Sequence, residues 1–267
     1  MTSQPAPIDQ PENGSGERVI DLSVEVVGTP EQVWEAIATG PGISSWYVPT
    51  TIEEQPGGAT TSRFGEGPEM LIPGRVVAWE PPLRVLFAGT DENLPSLAFE
   101  WLVEARDRGT CVVRLVNSGF SAGTPWENQY EGLAEGWRLF MYNLKLHLEH
   151  FAGQRATAMM PTAVWRGDQG GHWSRLTGAL GIPAALQPGE RVVVTAKDAP
   201  ELAGTVDRAE PGQAWLIVDS PAPGTALLAC ERDGVSIWQY LYGDDAAAIV
   251  EPDTPRWNSW LAAHTEE

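Results

Sequence analysis

Cysteine is scarce. Cys111 and Cys230 are the two present in 267 residues, far apart, with no Cys-x-x-Cys pair and no histidine cluster beside either. That excludes a disulfide scaffold and leaves nothing from which to build a structural zinc site, so both read as buried free thiols in a reducing compartment. Basic residues are also few: 17 Lys and Arg stand against 36 Asp and Glu, a net charge of −19. A field of that sign repels phosphate backbones and anionic lipid surfaces, so neither nucleic acid nor a membrane is an expected partner. No apolar stretch approaches the ~18 residues of a membrane span. The N-terminal residues lack the basic start and apolar run of a secretory signal. Residues 1–16, rich in Gln, Pro, Asn, Gly, Ser and acids, are expected to form a disordered leader, and the chain to lie in the cytoplasm. Catalytic signatures are missing as well: no Gly-x-Ser-x-Gly elbow, phosphate loop or dinucleotide fingerprint occurs.

What is present is a core-forming composition, 42% apolar and 20% charged. From Arg18 to Val27, Ile20, Leu22, Val24 and Val26 alternate with Asp21, Ser23 and Glu25, the period of a strand with one buried face. Thr29 and Pro30 then open a helix as N-cap and first residue. Gly40-Pro41-Gly42 is expected to end it, before a short turn with Ile43, Trp46 and Tyr47. A meander of strands follows, over residues 60–65, 70–80, 84–90, 97–105 and 110–120, with turns at Pro56-Gly57-Gly58, Pro81-Pro82, Asp91-Glu92-Asn93 and Asp107-Arg108-Gly109. From Trp126 to Phe151 the stripe Leu133, Trp137, Phe140, Met141, Leu144, Leu148 predicts one long amphipathic helix. The inner faces of the strands are the apolar surface available to it.

Residues 154–170 break the composition and read as a linker. The remainder, 171–267, reads as a reduced repeat. Gly74-Arg75-Val76 through Glu80-Pro81 to Val85-Leu86-Phe87 lines up without a gap on Gly204-Thr205-Val206 through Glu210-Pro211 to Trp215-Leu216-Ile217, offset by 130 residues. The second copy shows no clear opening strand, and its last helix, with Trp257, Trp260 and Leu261, reads as short.

The first part resembles the helix-grip fold of the START-like, or SRPBCC, superfamily, and within it the heat-shock protein 90 ATPase activator-like branch. The resemblance rests on Val26 to Ile37 at the first helix, Trp46 in the second, Gly74-Arg75-Val76-Val77 with Glu80-Pro81-Pro82 in the central hairpin, Gly109-Thr110 to Ser118-Gly119-Phe120 in the last strand, and Glu135-Gly136-Trp137 with Leu144 and Leu148 in the long helix. It covers about residues 18–153. It implies an α+β chain: a domain at 17–153 with a curved antiparallel sheet around a long C-terminal helix, and a smaller, reduced α+β copy at 171–267. It also implies an apolar cavity between sheet and helix. Where relatives often carry a histidine in the last strand, this chain has Asn117, which puts an acid–base role there in doubt.

Trp46, Phe64, Phe87, Phe99, Trp101, Val113, Leu115, Asn117, Trp137 and Met141 are the candidate ligand-binding residues. The sequence leaves open whether they fill a core or wall a cavity. Asn117 shares a face with Val113 and Leu115 and should point inward, needing either a protein partner or a ligand group; Arg75 and Tyr130 are the other candidate orienting groups. Asp21, Glu25, Glu100 and Glu104 fall on the opposite, solvated faces. His147 and His150 lie near the C-terminus of the long helix, where the dipole favours a cation. No metal or cofactor is expected. The leading expectation is a module that binds a small hydrophobic molecule. The alternatives are a partner of a chaperone or other protein, acting through its surface, and a cyclase- or dehydratase-type enzyme, which would need an ionisable group inside the cavity.

Overall fold

The computed structural model describes residues 18–65, 67–90, 97–120, 129–167, 169–231 and 234–265. The leader at 1–16, the turn at Asp91-Glu92-Asn93 and the expected helix start at Trp126 lie outside the described residues.

Strand β1 (Arg18–Val27) leads into α1 (Pro30–Ala38). Thr29 and Gln32 form a reciprocal capping box: the Gln32 amide donates to Thr29 Oγ1 at 3.4 Å, and Thr29 N donates to Gln32 Oε1 at 2.9 Å. Gly40-Pro41-Gly42 does not end this helix in a loop. It is the first turn of α2 (Gly40–Ser44), capped by Thr39, whose Oγ1 accepts from Gly42 N at 3.0 Å. Gly42 is required there, because a Cβ would sit 1.9 Å from the Glu35 carbonyl oxygen. The meander comprises β2 (Thr50–Ile52), β3 (Ala59–Arg63), β4 (Leu71–Glu80), β5 (Arg84–Gly89), β6 (Ala98–Ala105) and β7 (Thr110–Phe120). With β1 they form one antiparallel sheet in the order β1-β7-β6-β5-β4-β3-β2. Helix α3 (Tyr130–His150) packs at its β1 end.

The stretch at 154–170, read as a linker, contains β8 (Ala156–Met159), β9 (Thr162–Val164) and the start of α4 (Gln169–Leu180). There follow β10 (Arg191–Val193), β11 (Ala203–Glu210), β12 (Gln213–Ser220), β13 (Gly224–Glu231), β14 (Gly234–Tyr242) and α5 (Ala246–Ala263). The second sheet has the order β10-β11-β12-β13-β14-β8, with β9 also on β14. An opening strand therefore exists: it is β8, paired to the last strand as β1 is to β7. The closing helix is not short either, with 18 residues against 21 in α3. Pro252 and Pro255 lie inside it.

The two sheets share a bulge. In β4 the register slips between Val76 and Ala78, and in β11 between Val206 and Arg208, the offset of 130 residues seen in the sequence. The Gly57 amide donates to Val76 O, and the Gly189 amide donates to Val206 O, each at 2.8 Å. The ungapped lineup fails just past this point. Glu80 pairs with Arg84 but Glu210 with Gln213, so the second hairpin turn is one residue shorter and everything after it shifts by one.

The layers run first sheet, α3, second sheet, then α4 with α5. Met141, Leu144 and Leu148 of α3 join the core of the first sheet. Leu139 and Leu146, on another face of α3, pack on Trp215, Leu227 and Ala229 of the second. The opposite face of the second sheet, with Leu216, Ala226 and Leu228, packs on Leu176, Leu180, Trp257 and Leu261. Buried hydrogen bonds cross the junction. Asn143 Nδ2 donates to Trp46 O at 2.9 Å, while Thr225 Oγ1 donates to Asn143 Oδ1 at 2.8 Å. Ser45 Oγ accepts from Ala156 N at 3.0 Å. Among the described residues no helix is long and apolar enough to cross a membrane.

Candidate functional site: an apolar cavity beside the long helix

Helix α3 lies close to the β1–β7 edge and leaves space over the other strands. Between them is a cavity of about 530 Å³, within the span of about 300–1,000 Å³ usual for small-molecule sites. Trp46, Tyr47 and Val48 follow α2 and form one wall. Phe87, Phe99 and Trp101 project from β5 and β6, and Leu133, Trp137 and Phe140 from α3. Phe64 and Ile72, both exposed, stand at its rim. Small residues keep it open: Gly74, Ala88 and Gly89 in the sheet, Gly132 and Gly136 in the helix. A Cβ at Gly136 would meet no atom within 4 Å. The second domain adds Met160, Thr162 and Trp238. Trp238 stacks on Phe140 at 5.3 Å and donates its indole N–H to Thr162 Oγ1 at 3.0 Å, which fixes it as a wall across the domain junction.

Of the ten expected residues, Trp46, Phe64, Phe87, Phe99, Trp101 and Trp137 line this cavity. Val113, Leu115, Asn117 and Met141 are buried behind it, where the helix fills the space over β7. Asn117 is satisfied by protein: its Nδ2 donates to Ala98 O at 3.0 Å, and its Oδ1 accepts from Trp137 Nε1 at 3.3 Å. It therefore acts by fixing Trp137. Arg75 is exposed, and the Tyr130 hydroxyl donates to Val19 O at 3.0 Å, so neither orients a guest here.

The polar group that sequence reasoning missed is Tyr47. Its ring stacks on Trp137 at 5.1 Å and meets Phe140 edge-on at 4.5 Å. Its hydroxyl has no hydrogen-bond partner among the described residues, and burial raises its pKa above the usual phenol range. It stays a neutral donor. The hydroxyls of Thr50 and Ser62 are bonded to each other at 3.0 Å, and that of Thr162 to Ser236 and Trp238. Among the described residues no Asp, Glu, Lys, Arg or His side chain lines the cavity. Its chemistry is therefore that of apolar contact plus three polar groups without a hydrogen-bond partner among the described residues: the Tyr47 and Thr60 hydroxyls and the Trp101 indole N–H. The sequence placed Tyr47 in a short turn with Ile43 and Trp46, and nothing local distinguishes a core tyrosine from one facing a void.

His147 is not the dipole-stabilised cation its place on α3 suggested. It is buried, and desolvation holds its pKa down at about 4. Tyr242 spends its proton on Ser45 O at 2.9 Å, so the 2.8 Å contact has His147 Nδ1–H donating to the Tyr242 oxygen. Among the described residues no cluster of three or more His, Cys, Asp or Glu is placed to hold a metal ion. The two thiols are unpaired, and burial pushes that of Cys230 up to about 12.

A curved antiparallel sheet closed by a C-terminal helix, with an apolar hollow between them, defines a helix-grip protein of the START-like, or SRPBCC, class. Residues 28–149, within the first domain, match the family described as "Activator of Hsp90 ATPase homolog 1-like protein". Similar solved structures include the di-domain ARO/CYC BexL from the BE-7585A biosynthetic pathway, 13% identical over 94% of this chain and 99% of that one, with a TM-score of 0.45. DynU16, from the dynemicin biosynthetic locus, is 17% identical over 92% of this chain and 96% of its own, with a TM-score of 0.43. Aha1 from Colwellia psychrerythraea, solved as a dimer, is 21% identical over 49% of this chain and 96% of its own, with a TM-score of 0.41. No curated protein sequence matches the chain.

Proposed function

We propose that the chain binds a small, neutral, hydrophobic molecule in the first-domain cavity, with the Tyr47 hydroxyl donating to an acceptor on the guest. The observation that carries this is the aromatic-walled hollow of about 530 Å³ whose lining, among the described residues, holds no charged side chain. Apolar burial drives binding at roughly 25 cal/mol per Å² before entropy costs. A charged guest would be desolvated there with no counter-charge. The shared bulge and strand order support the reading of the second domain as a shortened copy of the first that covers the cavity through Trp238. On this reading the domains divide at 17–153 and from β8 onward.

The test uses prodan, a neutral fluorescent aromatic ketone, titrated into the full chain. Gly136→Leu, which pushes a side chain into the hollow, is expected to abolish binding. Tyr47→Phe should weaken it about 2- to 10-fold, the net worth of one hydrogen bond. Unchanged affinity in Gly136→Leu rejects the cavity as the site. The family description favours a second reading, in which the chain stimulates a chaperone ATPase through its surface. A rise in Hsp90 ATPase rate that is equal for the native chain and Gly136→Leu would favour that reading.

A further inference from the structure

One row of cross-strand partners runs through each sheet from the residue before the bulge. In the first sheet it is Val76, Phe87, Phe99, Asn117 and Ile20. In the second it is Val206, Leu216, Ala226, Gln239 and Met159. Cross-strand partners share a face. Leu216, Ala226 and Met159 belong to the core that contains Trp257 of α5, whereas the residues flanking Gln239, Trp238 and Tyr240, belong to the clusters on the α3 side. Gln239 therefore points toward α5, which packs on β14, β8 and β9. Each row sets one carboxamide under the helix that closes its domain, and each helix brings a tryptophan, Trp137 or Trp257.

In the first domain these groups satisfy one another, Trp137 Nε1 donating to Asn117 Oδ1 at 3.3 Å. In the second they do not. Gln239 and Trp257 are both 0% exposed, and neither amide atom of Gln239 nor Nε1 of Trp257 has a hydrogen-bond partner among the described residues. Buried amides and indoles nearly always find partners. One acceptor and two kinds of N–H donor call for a guest that both donates and accepts. A water molecule meets that need, with the roughly three hydrogen bonds a buried water usually makes. An ion does not suit it, since these groups offer no balancing charge.

We propose that the second domain contains an internal site for a single water molecule, held by the Gln239 carboxamide and the Trp257 indole N–H. The site is independent of the first-domain cavity, so a failure of prodan binding leaves it standing. The test is solution NMR of the full ¹⁵N-labelled chain, with the Trp257 indole resonance assigned by its loss in Trp257→Phe. The expected result is a cross-peak from that indole proton to long-lived water, lost in Gln239→Met, together with one isolated density peak within hydrogen-bonding distance of both side chains in a high-resolution crystal structure. Absence of the cross-peak and of the density, with the Gln239 amide turned onto the indole nitrogen, overturns the proposal. The measurements on the unaltered chain decide the matter even if Gln239→Met does not fold.

Discussion

The two sheets share a strand order but not an environment. The first keeps one face in water: Arg84 bridges Glu80 and Glu100 there, and Arg114 pairs with Asp21. Its strands alternate accordingly, as β1 does. The second sheet is covered on both faces, by α3 on one and by α4 and α5 on the other. In β13 the residues from Gly224 to Ala229 are all buried, so the alternation disappears. The difference teaches that one helix can close a sheet and also serve as the surface on which a second sheet is laid. Along α3, ten residues between Ala134 and Leu148 are buried, more than a single gripping stripe requires.

The sharpest way to break this comparison is to cut one face of α3 at a time. Leu144, on the first-sheet face, and Leu146, on the second-sheet face, are 0% and 1% exposed. Truncating either to Ala should cost about 2–5 kcal/mol. If the sheets fold as one unit through α3, urea unfolding followed by tryptophan fluorescence and by far-UV dichroism will show one coincident transition, lowered about equally in both variants. Two separated transitions in Leu146→Ala alone would mean that the second sheet merely leans on a domain that stands without it.

His147 lies where the layers meet, and it makes the junction sensitive to pH. Its pKa falls from 6.5 to about 4 on folding, because burial disfavours the cation. Between those values the unfolded chain holds the proton and the folded chain does not, so stability falls as pH drops from 6.5 to 4 and levels off below 4. At about 1.4 kcal/mol per pKa unit the loss amounts to roughly 3 kcal/mol. The carboxylates titrate over part of the same range, so the informative quantity is the difference between the native chain and His147→Gln. That difference should shrink steadily as pH falls through the window; a flat difference would mean the imidazole is charged in the fold.

What could be read from the sequence follows the same division. The first-sheet strands other than the three-residue β2 and the gripping stripe of α3 were legible because each has one dry and one wet face, and Thr29 was legible as an N-cap from its side chain and the proline after it. The second stripe of α3, with Leu139, Asn143 and Leu146, was not, since burial on a second face blurs the helical period. Strand β8 is four residues of Ala, Thr and Met, and its reality rests on pairing with β14, a long-range contact that local pattern does not encode. At the cavity, alternation correctly turned Phe99, Trp101, Val113, Leu115 and Asn117 inward. It could not tell that α3 sits on the last three and leaves space over the first two. Trp238 was out of reach for the same reason, because it arrives from the other sheet.

The smallest effect is also the most direct comparison, because it makes one substitution at the same place in both sheets. Gly74 and Gly204 each lie two residues before the bulge. At Gly204 a Cβ would stand 2.4 Å from Ile217 O, a backbone atom locked in the sheet ladder. At Gly74 its nearest neighbour would be Thr60 Oγ1 at 2.6 Å, a hydroxyl that can rotate away, and the nearest backbone atom, Ala88 O, is 3.1 Å distant. Gly204→Ala must therefore push two strands apart, at a cost of about 1–3 kcal/mol. Gly74→Ala should cost less than about 1 kcal/mol, part of the strain being offset by the smaller backbone entropy of the unfolded alanine chain. Paired urea midpoints decide it. An equal loss in both would show that the second sheet, despite layers on both faces, is no more rigidly held at its bulge than the first.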